Sequence, residues 1–361
     1  MPGAVAVIGA GTMGAGIARV AARAGHATYL LDSRPDVARA AAAESVRAVE
    51  TPADLPPCEV VVEAVVEDAA VKSALLADLA DLQPATTILA TNTSSLDVTA
   101  LAAGVPAPER VVGLHFFNPP TRMPLVEVVR GEQTADAVVR RCQELMRAWG
   151  KTPVTCASTP GFVVNRVARP FYGEAQRLVA AGVADPATVD QALRDAGFRM
   201  GPFELTDLIG QDVNLAVARS VWEQTGYDPR YEPTDWQRRL VATGRLGRKT
   251  GRGVFRYDAQ GHPLDAHPDL GLAARLTAPG APLVTNPVAR TLAMLVNEAV
   301  DLVCRGEATP ADVDTAMRLG AAYPRGPLEW GELLGRDAIR AQLAELDQAF
   351  PGGRYRASEA L

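Results

Sequence analysis

The chain has 361 residues, enough for two or three domains that each bury a core. A hydrophobic share of 48% and a charged share of 22% are those of a globular protein. The net charge of −6 supplies no global basic field toward nucleic acid or an anionic membrane. No uninterrupted apolar run reaches the length of a membrane span. Cys58, Cys142, Cys156 and Cys304 form no CxxC pair, and their spacing suggests neither a disulfide framework nor a metal site. A reduced, cytoplasmic setting is expected. An apolar run is already under way at residue 5 with no basic segment before it, so no secretory leader is expected.

In chain order, Val5–Ile8 reads as a buried strand, residues 13–24 as a helix and Thr28–Leu31 as the next strand. Residues 33–59 have room for one helix and a short connection. Val60–Glu63, then residues 87–90, 111–114 and 125–129, read as further strands. Short apolar strands alternating with helical patterns specify a parallel sheet with crossover helices. From about Ser158 onward the pattern is helical almost throughout. Residues 238–256, RRLVATGRLGRKTGRGVFR, are basic; they read as a solvated loop or as an attractor of a small anion.

The helical part repeats itself. Residues 174–210, EAQRLVAAGVADPATVDQALRDAGFRMGPFELTDLIG, match residues 298–335, EAVDLVCRGEATPADVDTAMRLGAAYPRGPLEWGELLG, with one inserted residue. Both copies keep an aspartate and then a Gly-Pro pair, which points to duplication. In the register that sets Glu174 on Glu298, Arg166 falls on Arg290 but Asn165 falls on Ala289. Chemistry that needs Asn165 then belongs to the first copy alone.

Gly9-Ala-Gly11-Thr12-Met13-Gly14 lies between the first strand and the first helix. Gly9 permits a tight turn, Gly11 lets a pyrophosphate approach the backbone, and Gly14 lets helix and strand pack closely. The helix N-terminus offers free N–H groups to the phosphates. Asp32 ends the second strand, where an acid accepts hydrogen bonds from ribose hydroxyls and repels a 2′-phosphate, favouring NAD over NADP; Arg34 nearby is the feature against. The expected organisation is α/β: a Rossmann-type doubly wound sheet over residues 1–157, then two related all-α domains. Those are residues 158–258 and a degenerate repeat at 287–361, joined by a Gly-, Pro- and Ala-rich linker at 259–286.

Of the four histidines, only His115 follows an apolar strand, at the edge where clefts open in doubly wound sheets. Glu127 sits inside the apolar run PLVEVV, where an ionised carboxylate needs a positive or hydrogen-bonding partner. A neighbouring strand carrying His115 can supply one, making Glu127 the orienting partner of a general base. An edge strand with Glu127 facing water is the alternative. The polar stretch Thr91-Asn-Thr-Ser94-Ser95-Leu follows another strand, and its serines either face the cleft or cap the next helix. Asn165 stands where the helical part opens.

GAGTMGAGIA at 9–18, VEAVVEDAAVK at 62–72, TNTSSL at 91–96, GLHFFNP at 113–119, PLVEVV at 124–129, STPGFVVNRVARP at 158–170, MGPFELTDLIGQDV at 200–213 and GRLGRKTGRGVF at 244–255 together resemble the L-3-hydroxyacyl-CoA dehydrogenases. The likeness is strongest to the bacterial branch acting on 3-hydroxyadipyl-CoA or 3-hydroxybutyryl-CoA, including enzymes of phenylacetate catabolism. The resemblance implies NAD-dependent, reversible oxidation of a (3S)-3-hydroxyacyl-CoA, with His115 as base and Glu127 as its partner. It implies Ser94 at the substrate oxygen and Asn165 completing the polar set. It places Asp32, Glu67, Lys72, Asn118 and Lys249 at cofactor-contacting positions, with Ser94 and Lys72 also near the acyl thioester. Lys72 and Lys249 are two of only three lysines among 36 basic residues, Lys151 being the third. In the resembled family the helical domains pair into dimers, so either a homodimer or a monomer with an internal pseudo-dimer is expected. The segment after Asp32 is shorter than the family's, which leaves an acyl-carrier thioester or a free hydroxyacid as competing substrates. A catalytically retired NAD-binding protein is the competing class. Arg122, after His115, is expected to be exposed without a role.

Overall fold

The computed structural model describes residues 2–42 and 45–361. It divides into two compact units, one running to Phe162 with Glu307–Asp312 added, the other comprising Val163–Gly306 and Val313–Leu361.

The first unit is built on one sheet: β1 (Val5–Ile8), β2 (Thr28–Leu31), β3 (Val46–Ala48), β4 (Val60–Glu63), β5 (Ile88–Thr91), β6 (Val111–Phe116), β7 (Leu125–Arg130) and β8 (Thr152–Ala157). The order is β3-β2-β1-β4-β5-β6-β7-β8, parallel throughout except between β6 and β7. Helices Thr12–Arg23, Ala69–Leu82 and Asp136–Ala148 make the crossovers. Every residue of β1, β4 and β5 is buried, as expected of strands covered on both faces. Strand order reverses between β1 and β4, and a crevice opens at the carboxyl ends of strands at such a point.

Two strands differ from the expected set. β3 is a three-residue edge strand, VRA, inside the segment read as one helix and a connection; the helix there is only Pro35–Ala41. β8, TPVTCA, is half-buried at the other edge and carries a proline, which weakens its strand signal. β6 also runs two residues further than expected, so His115 lies within the strand rather than after it.

Alternation along β6 and β7 decides which side chains share a face. Leu114 and Phe116 join Val126 and Val128 in the main core, which leaves His115 and Glu127 together on the opposite face. The β6–β7 connection is fastened by Lys151, whose ammonium donates to the carbonyls of Pro120 and, at 2.8 Å, Met123. The third retained lysine is therefore a loop anchor.

The second unit is helical. Its helix Pro287–Cys304 is buried on nearly every side and carries Arg290 and Glu298 into the interior. The duplication returns as duplicated geometry. Asp190 accepts N–H groups from Phe203 and Glu204, both at 2.9 Å; Asp314 accepts those of Leu328 at 2.8 Å and Glu329 at 3.2 Å. Each aspartate thus caps the helix that its own Gly-Pro pair opens. The glycines are required because a Cβ on Gly201 would stand 2.2 Å from the Asp190 carboxyl carbon, and one on Gly326 would stand 2.1 Å from that of Asp314.

The copies also exchange charges. Arg166 of the first copy pairs with Glu298 of the second at 2.5 Å, and Arg290 of the second pairs with Glu174 of the first at 2.6 Å. Tyr231 O–H donates to Glu298 as Tyr355 O–H donates to Glu174. Residue i meets j′ and j meets i′, the reciprocity of a two-fold interface, here within one chain.

Candidate active site

The turn after β1 holds Gly9 at φ 102°, where a Cβ would lie 2.5 Å from the Ala64 carbonyl oxygen. A Cβ on Gly14 would lie 1.8 Å from the Gly9 carbonyl oxygen, so neither glycine tolerates a side chain. Nothing stands within 4 Å of the place a Gly11 Cβ would take. Gly11 is also the N-cap of the helix that begins Thr12-Met13, with no side chain capping its N–H groups. This cradle fits a dinucleotide pyrophosphate.

Asp32 follows β2 and accepts the Ala10 N–H at 2.8 Å and the Arg34 N–H at 3.0 Å. Burial works against its ionised form, but these two N–H groups and the Arg34 charge hold its pKa below the usual value. An anionic acceptor therefore stands beside the turn, as adenosine ribose hydroxyls require. Asp32→Ala is expected to weaken NADH binding by roughly ten-fold in a fluorescence titration, the loss of one charged hydrogen-bonding group. An unchanged affinity would remove Asp32 from the cofactor site.

The next cluster contains a residue that sequence reasoning missed. Glu63, at the end of β4, is fully buried, and its Oε1 accepts the Lys72 ammonium at 2.6 Å and the Val65 N–H at 2.7 Å. Its Oε2 accepts the Thr91 hydroxyl at 2.7 Å. Lys72 is 1% exposed, and its ammonium also lies 3.4 Å from Glu67. The ammonium of Lys72, expected at the cofactor and the acyl thioester, is enclosed by Glu63, Glu67 and the Val65 carbonyl. Glu67 in turn gathers the Thr93 hydroxyl at 2.7 Å, the Ser94 N–H at 2.9 Å and the Ser95 hydroxyl at 3.0 Å. Burial opposes its ionisation, but Thr93, Lys72, Ser94 and Ser95 outweigh it and keep the carboxyl's pKa below normal. The serines do not cap the following helix: Asp97 does, accepting the Thr99 N–H at 2.9 Å.

The signal for Glu63 was the one that singled out Glu127, a carboxylate in an apolar strand. Glu63→Gln leaves Lys72 buried with only Glu67 beside it, and is expected to cost about 2 kcal/mol in urea unfolding. An unshifted midpoint would show the pair to be energetically idle.

His115 and Glu127 are direct cross-strand partners, with Nδ1 and Oε2 2.6 Å apart. Glu127 is 0% exposed and His115 6%, which removes the reading of a carboxylate facing water. The rings of Phe117 and Phe162 flank the imidazole at centroid distances of 4.5 and 5.7 Å. With Nδ1 committed to Glu127, Nε2 is the nitrogen left for another group. Asn92 Oδ1 accepts the Phe116 N–H at 2.9 Å, tying the polar loop after β5 to the strand that carries His115.

Asn118 is exposed in the loop after His115, as is Arg122. Asn165 and Lys249 belong to the second unit. Asn165 is half-buried on the helix Val164–Val167, its carbonyl accepting Arg169 Nε at 2.6 Å. Lys249 is exposed and paired with Asp212 at 2.6 Å.

A dinucleotide turn and a carboxylate-held imidazole in the same unit are the equipment of an oxidoreductase that removes a hydride and a proton from a carbinol. Comparison with known proteins narrows that class. The 3-hydroxyacyl-CoA dehydrogenase NAD binding domain matches residues 4–53 and 38–159; the C-terminal domain of the same enzymes matches twice, at 161–257 and 287–361. The chain belongs to the 3-hydroxyacyl-CoA dehydrogenase family and is an NAD-dependent oxidoreductase. It is 40% identical to the 3-hydroxyadipyl-CoA dehydrogenase of Escherichia coli K12, across 98% of this chain and 95% of that one. The crystal structure of 3-hydroxybutyryl-CoA dehydrogenase from Escherichia coli K12 substr. MG1655 matches with a TM-score of 0.89 and 39% identity, covering 99% of this chain and 97% of that one. The mitochondrial hydroxyacyl-coenzyme A dehydrogenase of Sus scrofa is 38% identical, over 70% of this chain and 90% of its own. Among the described residues no helix is long and apolar enough to cross a membrane.

Proposed function

We propose that the chain oxidises 3-hydroxyadipyl-CoA or 3-hydroxybutyryl-CoA, of (3S) configuration, reversibly to the 3-oxoacyl-CoA. The 2.6 Å contact between His115 Nδ1 and Glu127 Oε2 carries this reading. Nε2 takes the substrate hydroxyl proton, and the buried Glu127 carboxylate stabilises the resulting imidazolium. NAD, when bound, supplies the acceptor for the hydride from C3. Ser94, its N–H fixed on Glu67, orients the reacting oxygen, and Asn165 contributes a further polar contact. Asp32, Glu67, Asn118 and Lys249 serve the cofactor together with the turn at Gly9, Gly11, Thr12, Met13 and Gly14; Lys72 serves it through Glu67.

The names of the Escherichia coli relatives, with nearly complete mutual coverage, support these two acyl groups. The reciprocal Arg–Glu pairs support a monomer whose second repeat stands in for a dimer partner. The lack of any disulfide among the described cysteines supports the cytoplasm. One observation favours a carrier-protein thioester as the second reading: between β2 and β4 lie only Pro35–Ala41, β3 and a single turn at Pro52–Asp54 among the described residues. An assay following NADH oxidation on short, long and dicarboxylic 3-oxoacyl-CoAs, with a carrier-linked one alongside, separates these. The highest kcat/KM is expected on a short or dicarboxylic CoA thioester. No turnover of any CoA thioester would overturn the proposal, and preference for the carrier-linked substrate would favour the second reading.

A further inference from the structure

The two copies of the helical repeat carry equivalent charge clusters that are not equally balanced. Around Glu298 stand Arg166 and Arg230, and these buried guanidiniums also face Asp301, at 2.8 Å from Arg166, and Asp228, at 3.1 Å from Arg230. Arg305 and Arg356 close the exposed rim, each 3.0 Å from one of those aspartates. Around Glu174 stand Arg290 and Arg354 in the places of Arg166 and Arg230. The register that aligns these residues puts Arg177 where the other cluster has Asp301. It also puts Gly352 opposite Asp228, Ala181 opposite Arg305 and Glu232 opposite Arg356.

Among the buried and half-buried groups, one cluster therefore has two arginines against three acids, and the other has three arginines against Glu174 alone. The lost side chains leave space. Ala181 and Gly352 both line a cavity of about 470 Å³, walled also by Arg177, Arg290, Arg354 and the rings of Phe350 and Tyr355. Arg177 is half-buried, its Nε has no hydrogen-bond partner, and among the described residues no carboxylate lies within ion-pair distance of it. Among the described residues its one hydrogen bond is a long 3.4 Å contact to the Glu232 carbonyl. Glu232, exposed, is the one acid in the cavity wall. Burial and the Arg354 charge lower the Arg177 pKa in spite of Glu174, as crowding of like charges requires.

We infer that this cavity binds a phosphorylated small molecule, its phosphate held by Arg177 in the field of Arg290 and Arg354, its organic part against Phe350 and Tyr355. Arg290 and Arg354 are committed to Glu174, so they contribute charge, while Arg177 is the guanidinium with donors to offer. The site lies wholly in the second unit and is independent of the catalytic reading.

The test is calorimetric titration of the full chain, saturated with NADH, with inorganic pyrophosphate and separately with ADP at matched ionic strength. Both are expected to bind. Equal affinities assign the site to free phosphates, and tighter ADP assigns it to nucleotides. Arg177→Ala is expected to weaken both by roughly ten-fold or more, the loss of one charge-assisted contact. Arg177→Asp installs the acid of the balanced cluster; it is expected to abolish binding and raise the melting temperature while NADH affinity stays unchanged. Absence of binding to the parent chain, or equal binding by Arg177→Asp, would overturn the inference.

Discussion

His115→Gln is expected to lower kcat by about a thousand-fold on any accepted 3-hydroxyacyl-CoA, while NADH titrates with unchanged affinity; general-base catalysis supplies a factor of this order. Glutamine keeps a polar group near the imidazole's place but cannot carry a proton between substrate and solvent. The loss should fall on kcat rather than KM, because proton transfer develops in the transition state. Glu127→Gln is expected to lose less, since the base remains and only its orientation and the charge opposite the imidazolium are gone. Combining the two should cost little more than His115→Gln alone, because residues acting as one unit are not additive. Near-full activity of His115→Gln would require a different proton acceptor.

Glu174→Ala is expected to carry the largest stability loss, about 3 to 5 kcal/mol in urea unfolding, the range for breaking a buried ion pair by removing one partner. Arg290 is 3% exposed and Arg354 9%, and both lose their carboxylate at once, beside the Arg177 charge. The same group sets an acid limit. Burial opposes the charged form of Glu174, yet Arg354, Arg290 and Arg177 take its pKa down to about 2 from an ordinary 4.5. A depressed folded-state value means that the unfolded chain binds the proton first. The stabilisation is complete above about pH 4.5 and is lost as pH falls toward 2. Acid titration of the folded fraction should therefore show the parent chain losing its advantage over Glu174→Gln within that window. A difference constant across it would mean that the carboxylate is not the group responsible.

Much of the sheet was legible because parallel strands buried on both faces are uninterrupted apolar runs bounded by Gly, Asp or Asn. VAVI and TYLL, followed by Gly9 and Asp32, have this form, and the apolar stretches of VVVE in β4 and VVGLHF in β6 come close to it. β3 and β8 were not, because edge strands bury one face or less and their side chains carry no such pattern. The His115–Glu127 contact followed from solvation: a carboxylate among valines must find a partner. The same reasoning reaches Glu63, whose partner Lys72 lies nine residues on. The register between copies was readable from Glu174 and Glu298, but not the crossing of their arginines. Which copy an arginine reaches depends on how helices pack, and a local sequence match holds no information about that.

The crossed Arg166–Glu298 and Arg290–Glu174 contacts have a kinetic meaning. Two separate chains would have to meet by diffusion before such contacts formed, and dilution would dissolve them. Here covalent tethering fixes the effective molarity of one half for the other, so this interface closes as a first-order event. Its melting midpoint should not move when the protein is diluted.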